Sequence, residues 1–193
     1  MNLSPVTLRD RWVVLEPLDE RHAADLCAAA DPTCFQYSFE SPASWDLPGF
    51  RSLVARARGT AGRIAFAVLD GGTGRAVGTT SYLDIQAAHR GVEIGFTWYA
   101  RTARGTCVNP AAKLLLMGHA FEDHHAERVQ LKCDARNVQS QRAIAGLGAV
   151  REGVLRRHRV LPDGFVRDTV MFSVVASEWP GVRAGLEARL SAG

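Results

Sequence analysis

Residues 104–152, RGTCVNPAAKLLLMGHAFEDHHAERVQLKCDARNVQSQRAIAGLGAVRE, run through loop, helix, strand, helix and strand with little slack between them. Asn109 followed by Pro110 predicts a helix start, a side-chain cap and then a proline at the first helical position. Apolar residues at Ala112, Leu115, Leu116, Ala120 and Phe121 keep helical spacing up to a stop at Glu122-Asp123. Val129, Leu131 and Cys133 alternate with Gln130, Lys132 and Asp134, the period of a strand. A second helix is expected from about Asn137 to Leu147, with Gly148 as its stop.

The loop Arg104-Gly105-Thr106-Cys107-Val108 delivers a strand into that first helix. Backbone N–H groups at a helix start have no intrahelical partner, and together with the helix dipole they favour an anion. Gly105 would let a ligand approach the backbone closely, and Arg104 would add positive charge. An ordinary capped helix is the plainer reading of the loop taken alone.

The same stretch resembles the acetyl-CoA-binding core of the GNAT N-acetyltransferases, in the branch of the ribosomal-protein N-terminal acetyltransferases (RimJ/RimL-like). The matching residues are Arg104-Gly105-Thr106, Lys113, Ala120-Phe121-Glu122 and Arg128-Val129, then Asn137 with Ser140, Leu147-Gly148-Ala149 and Glu152 to Arg156. They cover about a quarter of the chain densely. The resemblance implies an α/β (α+β) acyl-CoA N-acyltransferase fold: a mixed, mainly antiparallel central sheet with helices on both faces. It also implies acetyl-CoA as co-substrate, held by Trp98, Arg104, Gly105, Thr106, Cys107, Val108, Asn109, Asn137 and Ser140. One departure stands out. Where the family's pyrophosphate loop has small residues, this chain has Cys107 and Asn109, and a Cβ at Cys107 restricts positive φ.

Outside this core, 193 residues suit one domain, expected to span 1–193. The composition, 47% hydrophobic and 22% charged, is that of a globular protein. A net charge of +3 and a pI near 8.9 are too mild to require nucleic acid. Lys113 and Lys132 are the only lysines among many arginines. Cys27, Cys34, Cys107 and Cys133 form no C-x-x-C pair and no zinc spacing, so no metal is expected. The amino-terminal residues lack a signal-peptide pattern and no apolar run approaches the ~20 residues of a membrane span, so a cytoplasmic protein without a membrane partner is expected.

Strands are expected at Trp12 to Leu18, Ile64 to Leu69, Ala76 to Leu83 and Val92 to Tyr99, and in a hairpin of Gly153 to Val160 with Phe165 to Val175. Helices are expected at Glu20 to Ala30 behind Asp19, at Pro48 to Arg58, and at Glu178 to Leu190 with Ser177 as cap. Between the first two helices, Phe35, Tyr37, Phe39 and Trp45 either line an acceptor cleft or seat their loop on the core.

Acetyl transfer from a thioester to an amine needs an amine freed of its proton, a stabilised carbonyl oxygen and a departing thiolate. Glu93, the one carboxylate in an otherwise apolar strand, is the candidate base, and relatives use a glutamate there. The competing reading pairs it with an arginine, Arg101 or Arg104 being near in sequence. Backbone N–H groups near Phe96 to Tyr99 would meet the carbonyl. Ser140 is the candidate acid by resemblance, with plain capping of a helix by Asn137 as the alternative. His124-His125 beside Glu122-Asp123 reads as a solvated helix end, and the arginines around His158 as a basic hairpin arm. The acceptor would be a protein amino terminus or a small amine. The homodimer common in such a family is expected, and a non-catalytic acyl-CoA-binding module is the alternative function.

Overall fold

The computed structural model describes residues 1–192. Eight strands form one sheet: β1 (Leu8–Arg9), β2 (Val13–Pro17), β3 (Ile64–Asp70), β4 (Ala76–Gln86), β5 (Gly91–Tyr99), β6 (Arg128–Asp134), β7 (Val150–Val160) and β8 (Val166–Val175). Their order is β1-β2-β3-β4-β5-β6-β8-β7, and every neighbouring pair is antiparallel except β5 with β6. Five helices accompany it: α1 (Ala23–Ala29), α2 (Leu47–Gly59), α3 (Val108–Gly118), α4 (Val138–Ala145) and α5 (Trp179–Ser191).

Strand alternation divides the core. Val13, Leu15, Phe66, Val68, Ile94 and Leu131 pack with α3 residues Ala112, Leu116 and Met117 and with Leu186 of α5. On the other side Ala65, Ala67 and Trp98 meet Leu26 of α1 and Phe50, Leu53 and Val54 of α2. Successive strand residues point to opposite faces, so both faces are covered by helices, as the resemblance implied. Among the described residues no helix is long and apolar enough to cross a membrane.

Two irregularities in β5 matter for function. Thr79 pairs with Trp98 and Ser81 with Gly95, so Thr80 alone opposes Phe96 and Thr97. This is a β-bulge, and Phe96 takes the left-handed φ of 45°. The bulge is pressed against β4: a Cβ on Gly78 would lie 2.2 Å from the Trp98 carbonyl oxygen, so glycine is required there. Second, β5 and β6 pair only from Gly91–Arg128 to Ile94–Leu131. Beyond that point the two parallel strands part.

Several predicted boundaries shift. Helix α3 starts at Val108 with Cys107 in the cap position and no side-chain cap; Asn109 lies inside the first turn rather than capping it. The reason is local. The Thr106 hydroxyl donates to the Ala103 carbonyl (2.8 Å) and accepts from the Val108 N–H (3.3 Å), turning the chain two residues earlier. Cys107 is right-handed (φ −66°), so the positive φ falls on Gly105 (φ 76°) and the Cβ of Cys107 meets no conformational demand. The end of α3 widens into a π-turn over His119–Asp123. Ser177 does not cap α5; Glu178 holds that position and accepts from the Val175 N–H instead. Strand β4 runs three residues beyond Leu83, β7 begins three residues before Gly153, and the short β1 has no periodicity to announce it.

Candidate active site

The parting of β5 and β6 opens one cleft of about 1000 Å³. Its walls come from the loop before α2, the bulge, the loop before α3, the start of α4 and the β7–β8 hairpin. Glu93, Trp98, Arg104, Gly105, Asn109, Asn137 and Ser140 all border it. Thr106 and Cys107 border a smaller recess of about 460 Å³ on the other side of the same loop, next to Arg189 of α5. Val108 is buried in the core beneath.

At the α3 start the uncapped helix leaves backbone donors facing open space, with Gly105 at the turn and no atom near the place a Cβ would take. Arg104 is largely occupied with the protein. Its Nε donates to the Tyr99 carbonyl (2.9 Å), and its terminal nitrogens reach Thr33 Oγ1 and Cys34 Sγ at 3.0 Å. It clamps the turn at 32–34 against the end of β5. Asn137 caps α4 by accepting from the Ser140 N–H (2.9 Å). Burial pushes the Cys133 thiol up, and Ser140 opposes that shift.

Glu93 is not isolated. Lys132 of β6 places its Nζ 2.6 Å from the carboxylate, in a pair whose side chains are 20% and 13% exposed. Neither Arg101 nor Arg104 is the partner. Gln130 approaches the same carboxylate at 3.5 Å.

Beneath the bulge lies Lys113, 3% exposed. Its Nζ donates to Thr97 Oγ1 (3.1 Å) and Thr80 Oγ1 (3.3 Å), and the two hydroxyls share a bond of 2.8 Å. These are the residues on either side of the bulge, so Lys113 staples it. Burial alone lowers the amine's pKa to about 7. On the outer side Arg63 stacks over the Phe96 ring at 4.2 Å, and its Nη1 donates to both Glu40 oxygens at 2.8 Å each.

The aromatic loop packs in two ways. Phe35 packs at 5.3–6.4 Å from Trp45, Phe50 and Trp98, seating the loop. Phe39 instead lies against Arg167 at the cleft wall, while Tyr37 lies against Arg136. No group of three metal-ligating side chains occurs among the described residues.

Lys132, Arg63, Arg167, Arg189 and the stapling role of Lys113 were not foreseen. Two lysines kept in a chain that otherwise uses arginine were the available signal.

An anion-ready helix start beside parting parallel strands agrees with what comparison finds. The chain matches the Acetyltransferase (GNAT) domain over residues 13–150. This chain belongs to the GNAT acetyltransferase family. It is similar to the crystal structure of a protein from T. thermophilus described as a "putative acetyltransferase", with 42% identity, a TM-score of 0.92 and coverage of 98% of this chain and 100% of that one. Another relative is the Bacillus subtilis (strain 168) protein named "Putative ribosomal N-acetyltransferase YdaF". It is 26% identical over 176 residues, 87% of this chain and 92% of that protein. RimJ of Mycobacterium smegmatis, solved in complex with CoA-disulfide, shares the fold at 24% identity and a TM-score of 0.79, covering 96% of this chain and 93% of RimJ.

Proposed function

We propose that this GNAT acetyltransferase, one domain over residues 1–193, moves the acetyl group of acetyl-CoA directly to a primary amine in a ternary complex. The acceptor is a protein amino terminus or a small amine, and no metal takes part. The supporting observation is the cleft formed where β5 and β6 stop pairing after Ile94 and Leu131, with a bulge on one wall and an uncapped helix start at its end. The Mycobacterium smegmatis RimJ complex with a CoA derivative supports the choice of cofactor.

The pyrophosphate would rest on backbone N–H groups of Gly105, Thr106, Cys107, Val108 and Asn109, with Arg104 ordering the loop. Asn137 and Ser140 would meet the pantetheine arm. Trp98 would contribute through its backbone, since its ring is packed against Phe35. The acyl carbonyl would sit at the bulge, where backbone N–H groups of Phe96 to Tyr99 would meet it. Glu93 then takes the proton as the amine attacks, and Lys132 keeps that carboxylate in place. Positioning supplies much of the rate. Ser140 delivers a proton to the thiolate, a smaller contribution because a thiolate leaves readily.

Glu93→Gln is expected to retain CoA affinity and lower kcat by about 10²-fold or more, the usual scale for a general base. An unchanged kcat removes Glu93 from that role. Ser140→Ala should cost less. The non-catalytic alternative predicts CoA binding without thiol release for any amine. Cytoplasmic residence and a homodimer belong to the same proposal. For the dimer, the outermost strand β7 exposes Val150, Val154, Leu155 and Val160, and sedimentation at two concentrations tests it.

A further inference from the structure

Among the described residues two arginines are buried, Arg63 and Arg167, and both border the cleft. Arg63 is satisfied by the Glu40 pair. Arg167 has no such partner. Its Nε donates to Thr169 Oγ1 (3.0 Å), Phe39 covers it at 5.1 Å, and its two terminal nitrogens make no hydrogen bond among the described residues. The nearby carboxylates are committed elsewhere. Asp134 is held by Arg136 at 2.8 and 3.0 Å, and Glu93 by Lys132.

A guanidinium taken out of water without a counter-charge is strongly unfavourable, so a fold that keeps one open to a cavity is built for a ligand's charge. The field around it agrees. His158, on the same wall, has a buried Nδ1 without a partner among the described residues. Burial, then Arg159, Lys132 and Arg167, hold His158 below the usual imidazole range, and Glu93 opposes them only weakly. The wall beyond Glu93 therefore holds more cations than anions, and Arg167 has no carboxylate hydrogen-bonded to it, the nearby Asp134 being taken by Arg136.

We propose that Arg167 is the anchor for a carboxylate carried by the acceptor itself, so that the acceptor is an amine bearing a carboxylate a few bonds from its nitrogen. Such a carboxylate accepts two parallel N–H bonds from the guanidinium fork while the amine lies toward Glu93 and the bulge. Free amino-acid-like amines and peptides with an acidic residue near the amino terminus both present it. The inference rests on the acetyltransferase reading for what happens to the amine, but not for the binding itself.

The test is a binding titration on the protein saturated with CoA, using matched pairs: amino acids against their amides, and short peptides with Glu or Gln at the second position. The carboxylate member of at least one pair should bind tenfold or more tightly. Whichever pair discriminates separates the small-molecule source from the peptide. Arg167→Met should abolish the preference, Arg167→Lys should restore part of it, and CoA affinity should stay as it was in both. The idea is overturned if acids and amides bind alike, or if the preference survives in Arg167→Met. Acetyl transfer is followed in parallel. Discrimination without transfer to any amine would remove the acetyltransferase reading and leave the anchor standing, whereas transfer without discrimination would do the reverse.

Discussion

Lys113 reaches from the second turn of α3 to the underside of the bulge and ends in an environment with no counter-charge. On the strands facing α3, Tyr82 donates to the Leu116 carbonyl, Tyr99 is held neutral by burial, and Glu93 is paired with Lys132. Glu16 of β2 is paired with Arg21, while Asp84 of β4 is bonded by Gln86 and Gln130. From α5, Arg183 pairs with Glu122 and Glu187, and Arg189 bonds the Gly146 carbonyl. Desolvation is therefore the cause that remains for an amine titrating near 7 rather than 10.5. Below pH 7 both folded and unfolded chains carry the charge, and the folded one bears the whole cost. Between about 7 and 10.5 the unfolded chain holds the proton and the folded chain does not, so stability rises with pH. Lys113→Met should raise the unfolding midpoint at pH 7 and flatten its rise toward pH 9, as read by denaturant titration at each pH. A wild-type profile that is flat over the same range would contradict a buried amine. Sequence singled out Lys113 by resemblance and as one of two lysines. Its partners, Thr80 and Thr97, are remote along the chain and meet only when the sheet is formed. Likewise, Glu93 and Lys132 are brought together by the parallel register of β5 and β6, which no local pattern encodes.

Elements were more legible than their ends. The unbroken apolar run over Ile64 to Leu69 and the helical spacing over α3 reflect burial, which leaves a pattern that can be counted. A helix end is decided by single hydrogen bonds, and at α3 the Thr106 hydroxyl competes with the Asn109 amide for the role. Two residues singled out only by the resemblance, Arg128 and Glu152, have a structural use: Arg128 of β6 makes a two-point pair with Glu152 of β7 across β8, and Ser173 of β8 donates to the same carboxylate at 2.8 Å. The Arg128 hydrogen bonds hold Glu152 down at about 2, against 4.5 for the free side chain. A lowered carboxylate stabilises fully above 4.5, and that contribution disappears as pH falls through 2. With both side chains about a third exposed, the pair is worth about 1 kcal/mol or less. Arg128→Met should therefore lower stability slightly at pH 6 and converge with wild type by pH 2, measured by urea unfolding. An equal deficit at both pH values would assign the loss to packing instead.

For the molecule as a whole, the order of strands and helices carried the fold, because each strand announces one buried face and the resemblance supplied their arrangement. The cleft was hidden for a physical reason: it exists where hydrogen bonds between β5 and β6 are missing, and a sequence pattern reports residues rather than absent pairings. A cofactor that enters that gap binds the folded chain alone. Acetyl-CoA at ~100 times its dissociation constant should add about 2.7 kcal/mol and raise the melting temperature by several degrees, with CoA acting similarly and ATP not. No shift with either thiol cofactor would count against the site. The cluster that seats the loop before α2 has an optical side to it. Trp45 is 51% exposed and Trp98 only 9%, with Phe35 packed between their rings. Of the four tryptophans Trp45 alone is exposed, so an acceptor that dries the loop would shift the red edge of the protein's emission toward the blue without any label.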